Sequence, residues 1–240
     1  MYSNEIKNTT KQWYEKYYQK KDQYRNSLLY NPEVAFQTLA HDLSIIRAVN
    51  YLTKISKVDL ASWKILDVGC GGGGSLFNFI RLGFKPSNMY GVDILPERIE
   101  KAKSNFPNVN WQCQDAQNLH FENSTFDIVL ESTMFIQIID DNLALNIAKE
   151  MIRVTKPGKF IFLIDWRTPN PFDNKNYKAL TKKRISLMFN GQKFVKQFSG
   201  SLLPPIGRLL SKRLPAFYFV IQKIFPFLVG QKLTILQKVK

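Results

Sequence analysis

The chain is poor in the residues that build disulfide frameworks and metal centres: its 240 residues include two cysteines and two histidines. Cys70 and Cys113 offer no disulfide framework and no ligand spacing, so no metal is expected. No stretch reaches the ~18 uninterrupted apolar residues of a spanning helix. The start, Met1-Tyr2-Ser3-Asn4-Glu5-Ile6-Lys7, lacks the apolar core of a signal peptide. These absences lead us to expect a reducing, cytoplasmic setting. Acidic residues vanish towards the end. From Asn174 to Lys240 there are fourteen Lys or Arg and no Asp or Glu, leaving twenty basic and nineteen acidic residues to 1–173. That asymmetry fits an anionic partner (a membrane surface, nucleic acid or a phosphorylated substrate) and equally a solvated basic face.

What the chain does have is concentrated at Ile65-Leu66-Asp67-Val68-Gly69-Cys70-Gly71-Gly72-Gly73-Gly74-Ser75. Apolar residues around Asp67 predict a short buried strand. Five glycines in six positions predict a turn that a ligand approaches through its backbone. The apolar run after it (Leu76, Phe77, Phe79, Ile80) predicts a helix whose first amides face the same place. Two templates fit. Gly69-x-Gly71-x-x-Gly74 satisfies the dinucleotide pattern of NAD enzymes, which alone is a weak signal. Gly69-x-Gly71-x-Gly73 after Leu66-Asp67-Val68 resembles motif I of the class I S-adenosylmethionine (SAM)-dependent methyltransferases.

The downstream order separates the two. A second strand, Met89-Tyr90-Gly91-Val92, ends in Asp93-Ile94, where an acid can accept from both hydroxyls of a ribose, a device common to NAD and SAM sites. A third, Val109–Cys113, leads to Asp115-Ala116, and Phe126-Asp127-Ile128-Val129 begins a fourth. An Asp-Ala pair followed by such a strand resembles the methyltransferases and has no counterpart in this order in the NAD fold. The resemblance covers about residues 34–240 and is specific in 64–131. It implies an α/β, doubly wound seven-stranded, mostly parallel sheet, with an antiparallel last strand beside the fifth and an N-terminal helical lid. A single domain 1–240 is expected: lid 1–56, SAM-binding core 57–166, and a basic part 167–240 completing the sheet.

Periodicity fills in the elements. Residues 5–56 read as helical with a break at Tyr30-Asn31-Pro32, the second part apolar at Val34, Leu39, Ile46, Val49 and Leu52. Pro96 suits the first turn of a helix to Asn105. Asp140-Asp141-Asn142 read as caps of the helix Leu143–Val154, in preference to metal ligands. Lys156-Pro157-Gly158 reads as a turn into strand five, Lys159–Trp166. A helix Leu180–Phe189, a strand Lys193–Ser199, basic amphipathic segments over 205–225 and a strand Lys232–Lys238 follow.

By resemblance, Gly69, Gly71 and Gly73 line the methionine part of SAM, Asp93 with Ile94 the ribose, and Asp115 with Ala116 the adenine. Asp67 holds either the loop or the SAM ammonium, and Glu131 lies at the methionine end. The product would be S-adenosylhomocysteine. Candidates for a catalytic base are Glu131 and Asp165, at strand carboxyl ends, and His41, since a histidine titrates near neutrality. His120 reads as structural. Arg167 could bind a carboxylate or phosphate on the acceptor, or form a surface ion pair; Tyr14, Tyr17 and Tyr18 could touch substrate or pack the lid. Glu131-Ser132-Thr133-Met134 stands where amino-methylating nucleic-acid enzymes carry an Asn/Asp-Pro-Pro-aromatic signature, and no Pro-Cys pair exists. Both absences argue against a nucleic-acid substrate. The expected reaction is O-methylation of a small acceptor such as a sugar, nucleotide-sugar or surface-glycan precursor. The alternatives are a lipid or quinone at a membrane surface, approached by an interfacial helix within 205–225 in a membrane-peripheral protein, and an NAD-dependent oxidoreductase. A homo-oligomer stays open.

Overall fold

In the computed structural model, residues 12, 28–56, 59–169 and 177–239 are described. Helix α1 (Ala35–Ser56) follows a 3-10 turn over Pro32–Val34, since proline supplies a fixed φ at an entrance but cannot continue a helix. Then alternate β1 (Ile65–Val68), α2 (Gly74–Arg81), β2 (Met89–Asp93), α3 (Pro96–Asn105), β3 (Asn110–Cys113), β4 (Phe126–Ser132), α4 (Asp141–Val154) and β5 (Thr155–Trp166). The chain closes with α5 (Lys182–Met188), β6 (Lys193–Ser199), α6 (Pro204–Arg213), α7 (Tyr218–Ile224) and β7 (Gln231–Gln237).

The strands form one seven-stranded sheet in the order β3-β2-β1-β4-β5-β7-β6. The pairings β3-β2-β1-β4-β5 are parallel, and β7 runs antiparallel between β5 and β6. The expected architecture is the observed one. It excludes the dinucleotide reading, whose sheet runs 3-2-1-4-5-6.

Strand alternation builds two cores. Ile65, Ile128, Leu130, Phe160 and Phe162 pack under α1, α2 and α3 with Ile45, Leu52, Leu76 and Phe79. Leu66, Val68, Val129, Ile161 and Leu163 pack under α4 and α5 with Ile147, Met151 and Ile185. By the same alternation Asp67 belongs to the α1–α2 face, and Glu131 and Asp165 to the α4–α5 face. A third cluster joins α6 and α7 to the start of α1 through Phe36, Ala40, Leu210 and Tyr218.

Several boundaries differ from expectation. Strand five begins at Thr155 and takes in Lys156-Pro157-Gly158, with a register shift between Phe126 and Ile128 and Gly158 at φ +75°. The bulge, not a separate turn, accommodates the proline, which has no amide to donate. Asp140 is the N-cap of α4, accepting from the amides of Asn142 (2.7 Å) and Leu143 (3.2 Å). Asp141 instead pairs with Lys178 at 2.7 Å. Helix α5 starts at Lys182 because Thr181 caps it, its Oγ1 accepting from Arg184 N at 3.2 Å. The part of the lid before residue 28 lies outside the described residues, residue 12 excepted.

Gly91 is required by packing: a Cβ there would fall on the Trp111 ring. Gly91→Ala should lower stability by about 1–3 kcal/mol, as overpacked cores do, read by denaturant unfolding followed through tryptophan fluorescence. Unchanged stability would mean that Trp111 is free to move aside.

Candidate functional site

The glycine turn is tied to the end of β2. Val92 O accepts from Gly69 N (2.8 Å) and Cys70 N (3.0 Å). Asp93 Oδ2 accepts from Gly71 N at 2.9 Å, and its Oδ1 from Leu95 N at 3.0 Å. Burial nevertheless pushes the Asp93 carboxyl above its ordinary value. Gly69, Gly71 and Gly73 have φ of +72°, +53° and +84°, the region that favours glycine. A Cβ on Gly69 would lie 2.8 Å from Met134 Sδ, whereas one on Gly71 would meet nothing within 4 Å. The backbone at Gly71 therefore faces open space. Along the same carboxyl edge stand Ile94 after β2 and Asp115-Ala116 after β3. Asp115 Oδ1 accepts from Gln117 N at 3.0 Å, which fixes the turn, and Ala116 packs on the α4-side core.

Asp67 is the least satisfied group in this region. It is 1% exposed, and neither carboxylate oxygen has a hydrogen-bond partner. Burial, with Asp93 nearby, holds its carboxyl well above the usual range. Of the two roles expected, holding the loop is not the one observed, because the loop amides go to Val92 and Asp93. A buried, unpaired carboxylate at the strand end under the turn fits a cationic group, which would supply a charge partner.

The other side of the site is a loop held from below. Thr133, a β-branched residue, sits at φ +59°, a conformation that costs on the order of 1–3 kcal/mol. Three successive amides beyond it are captured by buried carboxylates. Glu131 Oε2 accepts from Met134 N (3.1 Å) and Phe135 N (3.5 Å), and Asp165 Oδ2 accepts from Ile136 N (2.8 Å). Asp165 Oδ1 accepts from Trp166 N at 2.7 Å. Both side chains are fully buried, and burial raises both carboxyls, Glu131 further through its neighbour Asp165. Neither has exposed surface, and Glu131 Oε1 has no hydrogen-bond partner. As bases both expectations are corrected: these acids hold the loop that carries Met134 over Gly69.

Arg167 is corrected for the same reason. Its guanidinium donates to Leu180 O (2.7 Å), Leu163 O (3.0 Å), Lys232 O (3.3 Å) and Thr234 Oγ1 (2.9 Å), so it stitches β5, β7 and the entrance of α5 and reads no acceptor. Arg184, from the basic tail, donates to Phe135 O (3.0 Å) and Lys178 O (2.8 Å). The charge of Arg167 acts on both carboxyls and that of Arg184 on Asp165, each offsetting part of the burial, which still leaves both raised.

His41 is the base candidate that reaches the strand ends. From α1 its Nε2 lies 3.1 Å from Ser132 Oγ at the tip of β4, and its Nδ1 lies 3.2 Å from Asp42 Oδ1. Asn78 Nδ2 donates to the same Asp42 oxygen at 2.9 Å. Burial works to raise the Asp42 carboxyl, but the bonds from His41 and Asn78 outweigh it and hold it below its ordinary value. An ionised Asp42 orients the imidazole. Sequence reasoning missed Asp42, Asn78, Ser132 and Met134. A polar Asn78 inside the run Leu76-Phe77-Asn78-Phe79-Ile80 was the available signal, and it is 2% exposed. Tyr14, Tyr17 and Tyr18 lie outside the described residues. His120 is exposed, before β4, its amide donating to Gln114 Oε1. Among the described residues no group of three or more His, Cys, Asp or Glu could hold a metal. Cys70 and Cys113 are both free.

With this geometry in place, comparison with known proteins gives a consistent result. Residues 65–158 match the family model of a methyltransferase domain. A phthiotriol/phenolphthiotriol dimycocerosates methyltransferase of Mycobacterium leprae is 27% identical over 147 residues, 57% of this chain and 52% of that protein. A 2-methyl-6-phytyl-1,4-hydroquinone methyltransferase of Synechocystis is 33% identical over 106 residues, 42% of this chain and 31% of that protein. The chain spans between 31% and 62% of the length of such curated relatives, less than two thirds of each. A crystal structure of a SAM-dependent methyltransferase from Methanosarcina mazei superposes with a TM-score of 0.55 at 17% identity, over 77% of this chain and 96% of that one. The fold is that of the class I SAM-dependent methyltransferases.

An unpaired buried charge leaves a signature in stability. With its carboxyl raised on folding, Asp67 stabilises the ligand-free fold fully below the ordinary carboxylate range and loses that contribution as pH rises through the raised value. Asp67→Asn removes the ionisation. The variant should melt higher than the parent above neutrality, by about 2–4 °C for each kcal/mol relieved, with the gap closing in acid. A gap of the opposite sign would show that Asp67 has a partner in the ligand-free protein.

Proposed function

We propose that the chain is a SAM-dependent methyltransferase that O-methylates a hydroxyl on a small lipid- or quinone-like acceptor. The observation that carries the cofactor half is Asp67: its unpaired carboxylate beside the open turn suits the ammonium of a methionine moiety and would repel a pyrophosphate. Asp93 would accept from the ribose hydroxyls, with Ile94 beside it, and Asp115 with Ala116 would meet the adenine. Gly69, Gly71 and Gly73 would let the ligand lie against the backbone.

When bound, SAM supplies a methyl group already activated on a sulfonium. The protein's remaining tasks are alignment, exclusion of water and removal of one proton. We assign the last task to His41. Its Nδ1 is held by Asp42, leaving Nε2 to accept the proton of an acceptor hydroxyl lying beside Ser132. The loop at Thr133–Met134, held by Glu131 and Asp165, would set the wall on which the acceptor is aligned. For the acceptor class, the names of the relatives speak for lipids and prenylated rings, and give the sugar reading no support. No helix among the described residues is long and apolar enough to cross a membrane. Access to a lipid-like acceptor would therefore be from the surface.

Calorimetry should register SAM binding, and Asp93→Ala should weaken it by about 1–3 kcal/mol, the value of hydrogen bonds to a buried acceptor. Methyl transfer from labelled SAM to long-chain alcohols, phenols and free sugars tests the acceptor class. His41→Asn should lower kcat about 100-fold or more on a hydroxyl acceptor, leaving SAM affinity unchanged. A chain that fails to bind SAM contradicts the proposal. Full activity of His41→Asn removes the base.

A further inference from the structure

The helices that complete the sheet expose what a soluble surface normally hides. On α7 and the turn before it, Phe217, Val220 and Ile224 recur at helical spacing and are 52%, 46% and 60% exposed, while Tyr218 on the opposite side is fully buried. In the turn after α7, Phe225 and Phe227 add their rings, 5.9 Å apart and edge to face, the latter 72% exposed. Such a set of exposed apolar groups within eleven residues marks an interaction surface. Basic residues are interleaved with it: Arg213 and Lys223 are exposed, and Lys212 reaches Glu33 at 3.0 Å. Residues 174–240 contain no acid.

From this combination we propose that the outer face of α6–α7 and the Pro226–Leu228 turn docks on an anionic lipid bilayer. The occupant follows from charge complementarity. Aromatic and branched apolar side chains enter the headgroup boundary, while Lys and Arg on the same face meet anionic lipid. A bilayer also suits the position of the face. Its inner side packs on α1 through Phe36 and Ala40, and the next residue of α1 is His41, at the strand ends. A docked face would thus bring the lipid surface to the helix that borders the candidate acceptor site. The inference rests on the proposed lipid-like acceptor and supplies its route of arrival.

Flotation with phosphatidylcholine vesicles, with and without phosphatidylglycerol, tests it on the full chain, with SAM binding measured separately on the same preparation. Co-flotation with the anionic vesicles, lost with added salt, is expected. Arg213→Glu with Lys223→Glu should reduce partitioning about fivefold or more for each basic residue. Phe217→Ser with Phe227→Ser should abolish it. Both variants alter exposed side chains and should keep the parent's SAM affinity. The salt dependence of the parent stands as a test even if a variant misfolds. Absence of flotation from a chain that binds SAM would overturn the docking proposal and leave the methyltransferase reading intact. Vesicle binding without SAM binding would do the reverse. Binding unaffected by the variants, or a dimer that occludes the face and excludes vesicles, would also overturn it.

Discussion

A carboxylate shut away from water without a hydrogen bond is the constraint around which the site is built. Asp67 stands in the second-to-last position of β1, under a turn whose own amides are already committed to Val92 and Asp93. Among the described residues neither of its oxygens has a hydrogen-bond partner, so folding bears its desolvation. A group retained at such a cost marks a place where a charge partner arrives from outside. The positive φ values of the turn and the open space over Gly71 would let an incoming group approach the backbone closely.

The opposite wall solves a different problem by the same means. The chain leaves β4 through Thr133 in a left-handed conformation, then turns sharply to place Met134 over Gly69. That geometry persists because two buried carboxyl groups take three successive amides. The basic tail is not only surface charge. Arg184 is inside, on the loop, while Arg213 and Lys223 are outside among exposed aromatics.

The fold and the cofactor edge were legible because their signals are local. Asp67 and Asp93 stand at or near the end of a strand, and the glycines and Asp115 follow one, so parallel pairing brings them to one edge. The α4–α5 side was less legible for a physical reason. Whether Glu131, Asp165 and Arg167 face an acceptor or the protein interior depends on strand alternation and on what packs over the edge; here the acids accept from amides of the loop and Arg167 donates to β5, β7 and the entrance of α5. His41 and Ser132 are 91 positions apart, so neither predicts the other; only the passage of α1 over the strand ends joins them. The amphipathic segments at 205–225 showed their pattern in sequence, but not which side faces outward.

The pairing of Asp67 with the ammonium of SAM is the claim on which the site stands, and proton linkage tests it most directly. Burial raises the Asp67 carboxyl in the ligand-free fold, and a cation docked against it would shift it back towards ionisation. Calorimetric titration with SAM at one pH, in buffers of different ionisation enthalpy, should therefore register net proton release, with affinity rising as pH rises. Asp67→Asn should abolish that linkage. Binding without proton release, or with the same release in Asp67→Asn, would contradict it.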